Sequence, residues 1–443
     1  MALMSRHFSP RAAGPPAARS SAAPHCSSGR VVVVPRRGRV AARITSEAAA
    51  ERAEGGAAPA PTAAPASLAD VPNPASQRGV GCLVGGAAGA SIGLSVEPER
   101  HFRITRLFPE GLTDPWRFRM AAGARAAPGD FAAAVAAAHC LADGGGADAG
   151  PLLGALAASY DPELFEYTPY TRLVLDALWS GADPAGLARQ ADDFLNLGSA
   201  RCASTSSDRF GRQPFGAADA GAALRAAPLG VACAAAGRAE LEAAVDGWTL
   251  FSHPTEEGRD GALAAAAAAA WLAAAPDADA AGPEALLDAL EEVVTTDAMR
   301  SNLATVKAAL SRLGQLPEIP APSAAAGGFG SWREFWGSEQ WGRVVEAHGR
   351  LSDRGFATLA PQAVGVALLA LALNWRRPQQ AVALAAALGG NASTTAALTG
   401  AFAGSLHGCG WIPQRWWEAL GESEAERAVR DDALDAGLRL PRL

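Results

Sequence analysis

The chain has 443 residues, is 49% hydrophobic and carries a formal net charge of −7. That length supports one large core or two smaller ones. Setting aside the eight arginines of residues 1–45 moves the charge to −15, which argues against nucleic-acid backbones and anionic membranes as main partners. Taken in order, residues 1–45 hold Arg6, Arg11, Arg19, Arg30, Arg36, Arg37, Arg39 and Arg43 and no acid, among many Ser, Ala and Pro. This is the profile of an organellar transit peptide, with a plastid (chloroplast) as the expected destination and the mitochondrion as the alternative. The Ala-, Pro- and Glu-rich residues 46–77 read as a disordered linker.

From there the sequence predicts helix after helix: 79–92, 130–142, 151–158, 171–181, 184–196, 219–236, 238–251, 257–275, 283–292, 297–313, 339–348, 359–374, 378–388, 394–407 and 414–420. Gly, Pro and Asp clusters separate them. Alternating β-branched runs are almost absent, so an all-α fold is expected. The most apolar run, 263–275, is nearly all Ala and stops at Pro276, too short to span a bilayer. Residues 316–340, rich in Pro, Gly and Ser, read as a surface insertion whose Trp332, Phe335 and Trp336 should dock on the domain. Residues 421–443 read as a C-terminal tail. Beyond Cys26 there are five cysteines and no CxxC pair, consistent with reduced, buried thiols.

Two stretches stand out. In 78–97, Gly81, Gly85, Gly89 and Gly93 recur every four residues and so line one helix face, as close helix packing requires. No GK[ST] follows, so a phosphate loop is not indicated. In 388–408, Gly389 and Gly390 lead through Asn391, Ser393 and Thr394 into a helix rich in Ala and Gly. That polar group at a helix start reads either as an N-cap or as a ligand site.

Segment 78–97 resembles the opening helix of the ADP-ribosylglycohydrolase family, matching at Gly81, Leu83, Gly85, Ala87, Gly89, Gly93, Val96 and Glu97. Further likenesses follow in order: 167–181, with its Tyr-x-x-x-Thr start; 221–232, GAALRAAPLGVA; 251–266, containing His253; the Gly-Gly turn and helix of 388–408; and 411–416, containing Pro413 and Trp416. The likeness covers 78–420. It implies a compact all-α, multi-helix ADP-ribosylglycohydrolase-like bundle in one domain. It also implies hydrolysis of glycosidic bonds to ADP-ribose with two Mg²⁺ or Mn²⁺ ions, held by an early Thr-Asp-Asp-Thr and a late Asp-Thr-Asp-Thr motif.

The chain departs from that pattern where the metals would sit. The early motif falls on Pro128-Gly129-Asp130-Phe131, leaving only Asp130, and the late one on Asn391-Ala392-Ser393-Thr394, leaving only Thr394. A further family Asp falls on Ala90. Hard divalent cations need anionic oxygen ligands. Three readings follow. The first is a catalytically degenerate family member, a pseudoenzyme that binds ADP-ribose, a nucleotide or an ADP-ribosylated protein without metal chemistry. The second is an active hydrolase with a rearranged site, one Mg²⁺ on Asp130 and Glu97 assisted by Thr394. The third is a helical scaffold or assembly protein. Candidate catalytic residues are Asp130 and Glu97, and candidate metal ligands Asp130 and Thr394. Candidate ligand-binding residues are Gly389, Gly390, Asn391, Ser393, Thr394 and Arg225. Each has a plainer alternative: Asp130 as a first-turn acid, Glu97 as a helix cap and Arg225 in a structural ion pair. Magnesium is implied only if the protein is active, no nucleic acid or membrane partner is expected, and the oligomeric state is left open.

Overall fold

Glycines spaced four apart on two separate helices meet along the centre of the molecule. The computed structural model describes residues 68–112, 129–146, 149–162, 167, 169–183, 186–187, 218–274, 278–319, 331–422 and 424–441. The expected transit peptide and most of the expected linker lie outside these, as does most of the helix expected at 184–196.

Seventeen α-helices occur among the described residues, and the β-pairing there is confined to isolated bridges, so the fold is all-α. In chain order they are α1 (Pro74–Leu94), α2 (His101–Leu107), α3 (Gly129–Ala142), α4 (Ala149–Ser159), α5 (Pro169–Trp179), α6 (Gly221–Ala232), α7 (Arg238–Thr249), α8 (Glu256–Ala274) and α9 (Ala278–Val293). Then come α10 (Asp297–Leu313), α11 (Trp332–Trp336), α12 (Glu339–Leu351), α13 (Ala360–Leu373), α14 (Pro378–Leu388), α15 (Ala392–His407), α16 (Gln414–Ala419) and α17 (Glu424–Arg439). None among the described residues is long and apolar enough to cross a membrane.

α1 and α15 form the central antiparallel pair. A Cβ at Gly81, Gly85, Gly89 or Gly93 would overlap the backbone of Gly404, Gly400, Ala396 or Ala392 respectively. Only hydrogen at those positions lets the two backbones touch, which is the close packing that the four-residue spacing predicts. Along α8, residues 262–270 are buried, and Gly230 of α6 meets the backbone of Ala266 in the same manner.

The domain extends further at both ends than the sequence suggests. α1 starts at Pro74, inside the expected linker, because Asn73 caps it through the Ser76 N–H at 2.9 Å. Leu68 and Val71, just before it, are buried in the core. Residues 421–443, expected as a tail, contain α17. Its Gly437 packs against the backbone of Gly79 and Val80, its Ala433 and Ala436 are fully buried, and Arg439 pairs with Asp143 at 2.9 Å.

The aromatic end of the 316–340 segment is docked. Trp332 and Phe335 are buried, Trp336 donates its indole N–H to the Phe108 carbonyl at 3.3 Å, and Arg333 pairs with Glu110 at 2.9 Å.

Candidate functional site

The Gly-Gly turn is shaped by its neighbours. Gly389 and Gly390 adopt φ of 79° and 70°, the left-handed region that favours glycine. A Cβ on Gly389 would overlap the Glu99 carbonyl, and one on Gly390 the Gly355 carbonyl. The turn is thus held between segment 97–101 and the loop at 353–357. Gly390 donates to the Glu99 carbonyl at 2.8 Å, and the Asn391 side-chain amide donates to the Ala357 carbonyl at 3.0 Å. Asn391 therefore ties the loop down and does not cap α15.

The cap comes from a residue far away in sequence: Glu97 Oε2 accepts the Ser393 N–H at 3.0 Å. A carboxylate there answers both the free donors and the positive dipole end of the helix. Beside it, Ser393 and Thr394 are buried, and among the described residues their hydroxyls have no hydrogen-bond partner. The first turn of α15 thus presents neutral hydroxyls and backbone N–H groups.

A second polar group lies at the start of α6. Asp219 Oδ1 accepts the Gly221 N–H at 2.8 Å, closing an Asx turn, and also accepts from His253 Nε2 at 2.7 Å. His253 Nδ1 lies 2.8 Å from Ser252 Oγ, and Arg225 donates to that same oxygen and, at 3.4 Å, to Thr171 Oγ1. Arg225 also lies 3.3 Å from His253 Nδ1, and the Ser252 hydroxyl is placed to donate to the Thr249 carbonyl at 3.4 Å; with Nδ1 accepting, Nε2–H faces Asp219. Burial holds the His253 pKa below its usual 6.5, against the pull of Asp219, so the ring is neutral at neutral pH. Arg225 is fully buried. Burial also lowers its pKa, while Asp130 and Asp219 offset that loss.

Ser252, His253 and Asp219 together resemble a hydrolase relay in outline. Ser252 and His253 are completely buried, however, so no substrate reaches the hydroxyl, and their role is structural.

Asp130, in the first turn of α3, packs on the same turn: its Oδ1 would stand 2.6 Å from a Cβ on Gly221. Burial raises the Tyr167 pKa, and the Asp130 charge adds to the rise. The structure thus joins Glu97 to Ser393, and Gly389, Gly390 and Asn391 to their flanking loops. Asp130 and Arg225 gather around Asp219 and Gly221. Segment 357–360 links the two groups. The Ala357 carbonyl takes the Asn391 amide, the Thr358 carbonyl takes the Ala220 N–H at 3.1 Å, and Ala360 N–H donates to the Ala218 carbonyl at 2.8 Å.

Asp219 and Ser252 were not singled out from sequence, and Thr171 only as the Thr of the 167–181 motif. The usable signal was Asp219-Ala220-Gly221, an Asx-turn pattern directly before a helix.

No curated protein matches the chain. Among solved structures, a chain from an "ADP-ribosylglycohydrolase-related protein complex" is 22% identical with a TM-score of 0.46, over 83% of this chain and 98% of that one. The family profile described as ADP-ribosylglycohydrolase matches residues 72–441. The chain belongs to the ADP-ribosylglycohydrolase family.

The donor set around the start of α15 offers too few carboxylates for a pair of divalent cations. Ala90, where the resemblance places a carboxylate, is fully buried in the core. Asn391 donates its amide NH2 to Ala357 and offers at most a neutral carbonyl oxygen, and Ser393 offers only a hydroxyl. Glu97, the carboxylate beside them, already caps α15. Among the described residues, no three His, Cys, Asp or Glu side chains are grouped to hold a metal. A bare helix N-terminus attracts anions, but at α15 the Glu97 carboxylate already answers that charge.

Proposed function

We propose that this protein is an ADP-ribosylglycohydrolase-family member without metal-dependent hydrolysis, which binds ADP-ribose or a related nucleotide at the start of α15. One observation carries the reading. Where two metal-binding carboxylates are expected, the first turn of α15 offers the Ser393 and Thr394 hydroxyls, with Glu97 committed to the Ser393 N–H. Neutral hydroxyls beside a helix end that Glu97 already caps suit the hydroxyls of a ribose. Gly389 and Gly390 keep the backbone of the turn close-packed without side chains.

The test uses the purified chain. With Mg²⁺ or Mn²⁺ added, ADP-ribosyl-arginine and ADP-ribosyl-serine should release no ADP-ribose. Calorimetry should show ADP-ribose binding that is indifferent to Mg²⁺ and weakened by Thr394→Val. Metal-dependent turnover that Asp130→Ala abolishes would overturn the proposal in favour of a rearranged one-metal site. Absence of binding at millimolar ADP-ribose would overturn it in favour of a scaffold. The arginine-rich, acid-free residues 1–45 further support import into a plastid, which fluorescent fusions of that segment would test against the mitochondrion.

A further inference from the structure

α10 and α12 leave a groove of about 360 Å³ between them. Its floor is made of small and apolar side chains, Ala308, Ala309 and Leu313 from α10 and Ala347 from α12. Three guanidinium groups stand at its rim: Arg312 on α10, and Arg343 and Arg350 on α12, against a single lining carboxylate, Glu346. In a chain with a formal charge of −7 this is a local inversion of sign.

The rim arginines are open to exchange. Arg312 has no ion-pair partner among the described residues. Arg343 pairs with Glu339, and Arg350 with Glu346, each at 2.6 Å and one turn apart on an exposed helix face. Exposed pairs of this kind hold weakly. A phosphate dianion offers a guanidinium fork a better partner than a solvated carboxylate. Arg343 and Arg350 are two turns apart, roughly 10 Å along α12, and Arg312 faces them from α10. The opening between them leads onto the alanine floor. A volume near the lower end of ligand pockets suits a small molecule.

We propose that the groove between α10 and α12 binds a small organic phosphate, its dianion gripped by Arg312 with Arg343 or Arg350 and its apolar body lying on Ala309 and Ala347. This site is independent of the one at the start of α15, and either reading can fail without the other.

Phenyl phosphate is the probe, titrated into the full chain by calorimetry. Saturable binding is expected, tighter than inorganic phosphate by about fivefold or more for the buried ring, while phenol alone should not bind. Binding should weaken by about tenfold or more in Arg312→Gln/Arg343→Gln. It should also be lost in Ala308→Glu, which places bulk and negative charge at an exposed lining position without touching the core. Both variants should keep the wild-type melting midpoint, because their side chains are exposed. Three results would overturn the proposal: no saturation by about 20 mM, far weaker than any specific site; unchanged affinity in Ala308→Glu; or tighter binding of an oligo-glutamate peptide than of phenyl phosphate, which would make the groove a protein-docking surface instead.

Discussion

Glu97 and Ser393 are 296 residues apart, and a 3.0 Å hydrogen bond from the Ser393 N–H to the Glu97 carboxylate joins them. The bond couples the chain just after α1 to the start of α15, so one carboxylate fixes the cap of the central helix beside Ser393 and Thr394. Glu97→Ala should cost about 1–2 kcal/mol, the usual price of a lost cap plus the lost dipole interaction. Glu97→Gln keeps an acceptor and should cost less than half as much. Urea midpoints for the two variants decide the matter. Equal losses would mean that charge, and not the hydrogen bond, carries the effect.

The α1–α15 contact makes a sharper prediction. Gly404→Ala would drive a methyl into the Gly81 backbone, which has no side chain to move aside. Such overpacking between two helix backbones should cost more than about 3 kcal/mol. Gly154→Ala, in the middle of α4 with nothing within 4 Å of the added methyl, should instead stabilise by about 0.5–1 kcal/mol through the better helix propensity of alanine. Thermal unfolding of the two variants side by side separates close packing from propensity.

That contact was legible in the sequence because the four-residue glycine spacing has one structural meaning on a helix, whatever lies opposite. α17 was not. Its EAERAVRDDALDAGLR is dominated by charge, and of the few residues that matter, Ala433, Leu434 and Ala436 are buried and Gly437 packs on α1 residues more than 300 positions earlier. At the site, Gly389, Gly390 and Asn391 were visible as a turn leading into a helix. The sequence left Glu97 divided between cleft and cap, and only the bond to Ser393 assigns it. Asp219 was hidden for a different reason: it lies in an alanine-rich stretch, and its role depends on a histidine 34 residues away.

His348 should make the fold acid-sensitive. It is buried on α12, its Nε2 has no hydrogen-bond partner, and burial, with a smaller contribution from His101, brings its pKa from 6.5 down to about 4. The unfolded chain therefore binds a proton that the folded chain refuses. Stability from this source is complete above pH 6.5 and declines as the pH falls towards about 4, by about 3 kcal/mol in total. Burial shifts His253 in the same direction. His348→Leu should match or exceed wild-type stability at neutral pH, since it removes an unpaired nitrogen, and should lose less on acidification. Urea unfolding at neutral pH and at about pH 4.5 measures the difference. Identical slopes in the two proteins would show that His348 does not titrate in that window.

Arg225 and Asp219 test whether the second polar group is one unit. Arg225 is wholly buried, and its charge is what compensates Asp130 and Asp219. Asp219 Oδ2, in turn, is buried without a hydrogen-bond partner, while Oδ1 takes both direct bonds, so the second oxygen relies on nearby positive charge. Arg225→Met should cost about 3–5 kcal/mol by leaving buried carboxylates uncompensated. Asp219→Asn retains an acceptor for the Gly221 and His253 N–H groups and should cost less. In Asp219→Asn/Arg225→Met one stranded charge disappears with its partner, so the double variant should be more stable than the sum of the single losses by about 1–3 kcal/mol. Strict additivity would mean that the two residues act separately and that Asp130 alone answers Arg225. A coupling of the expected size would make this group a self-contained polar core beneath segment 357–360, holding the Ala218–Ala360 backbone contact in place for the Asn391 turn beside it.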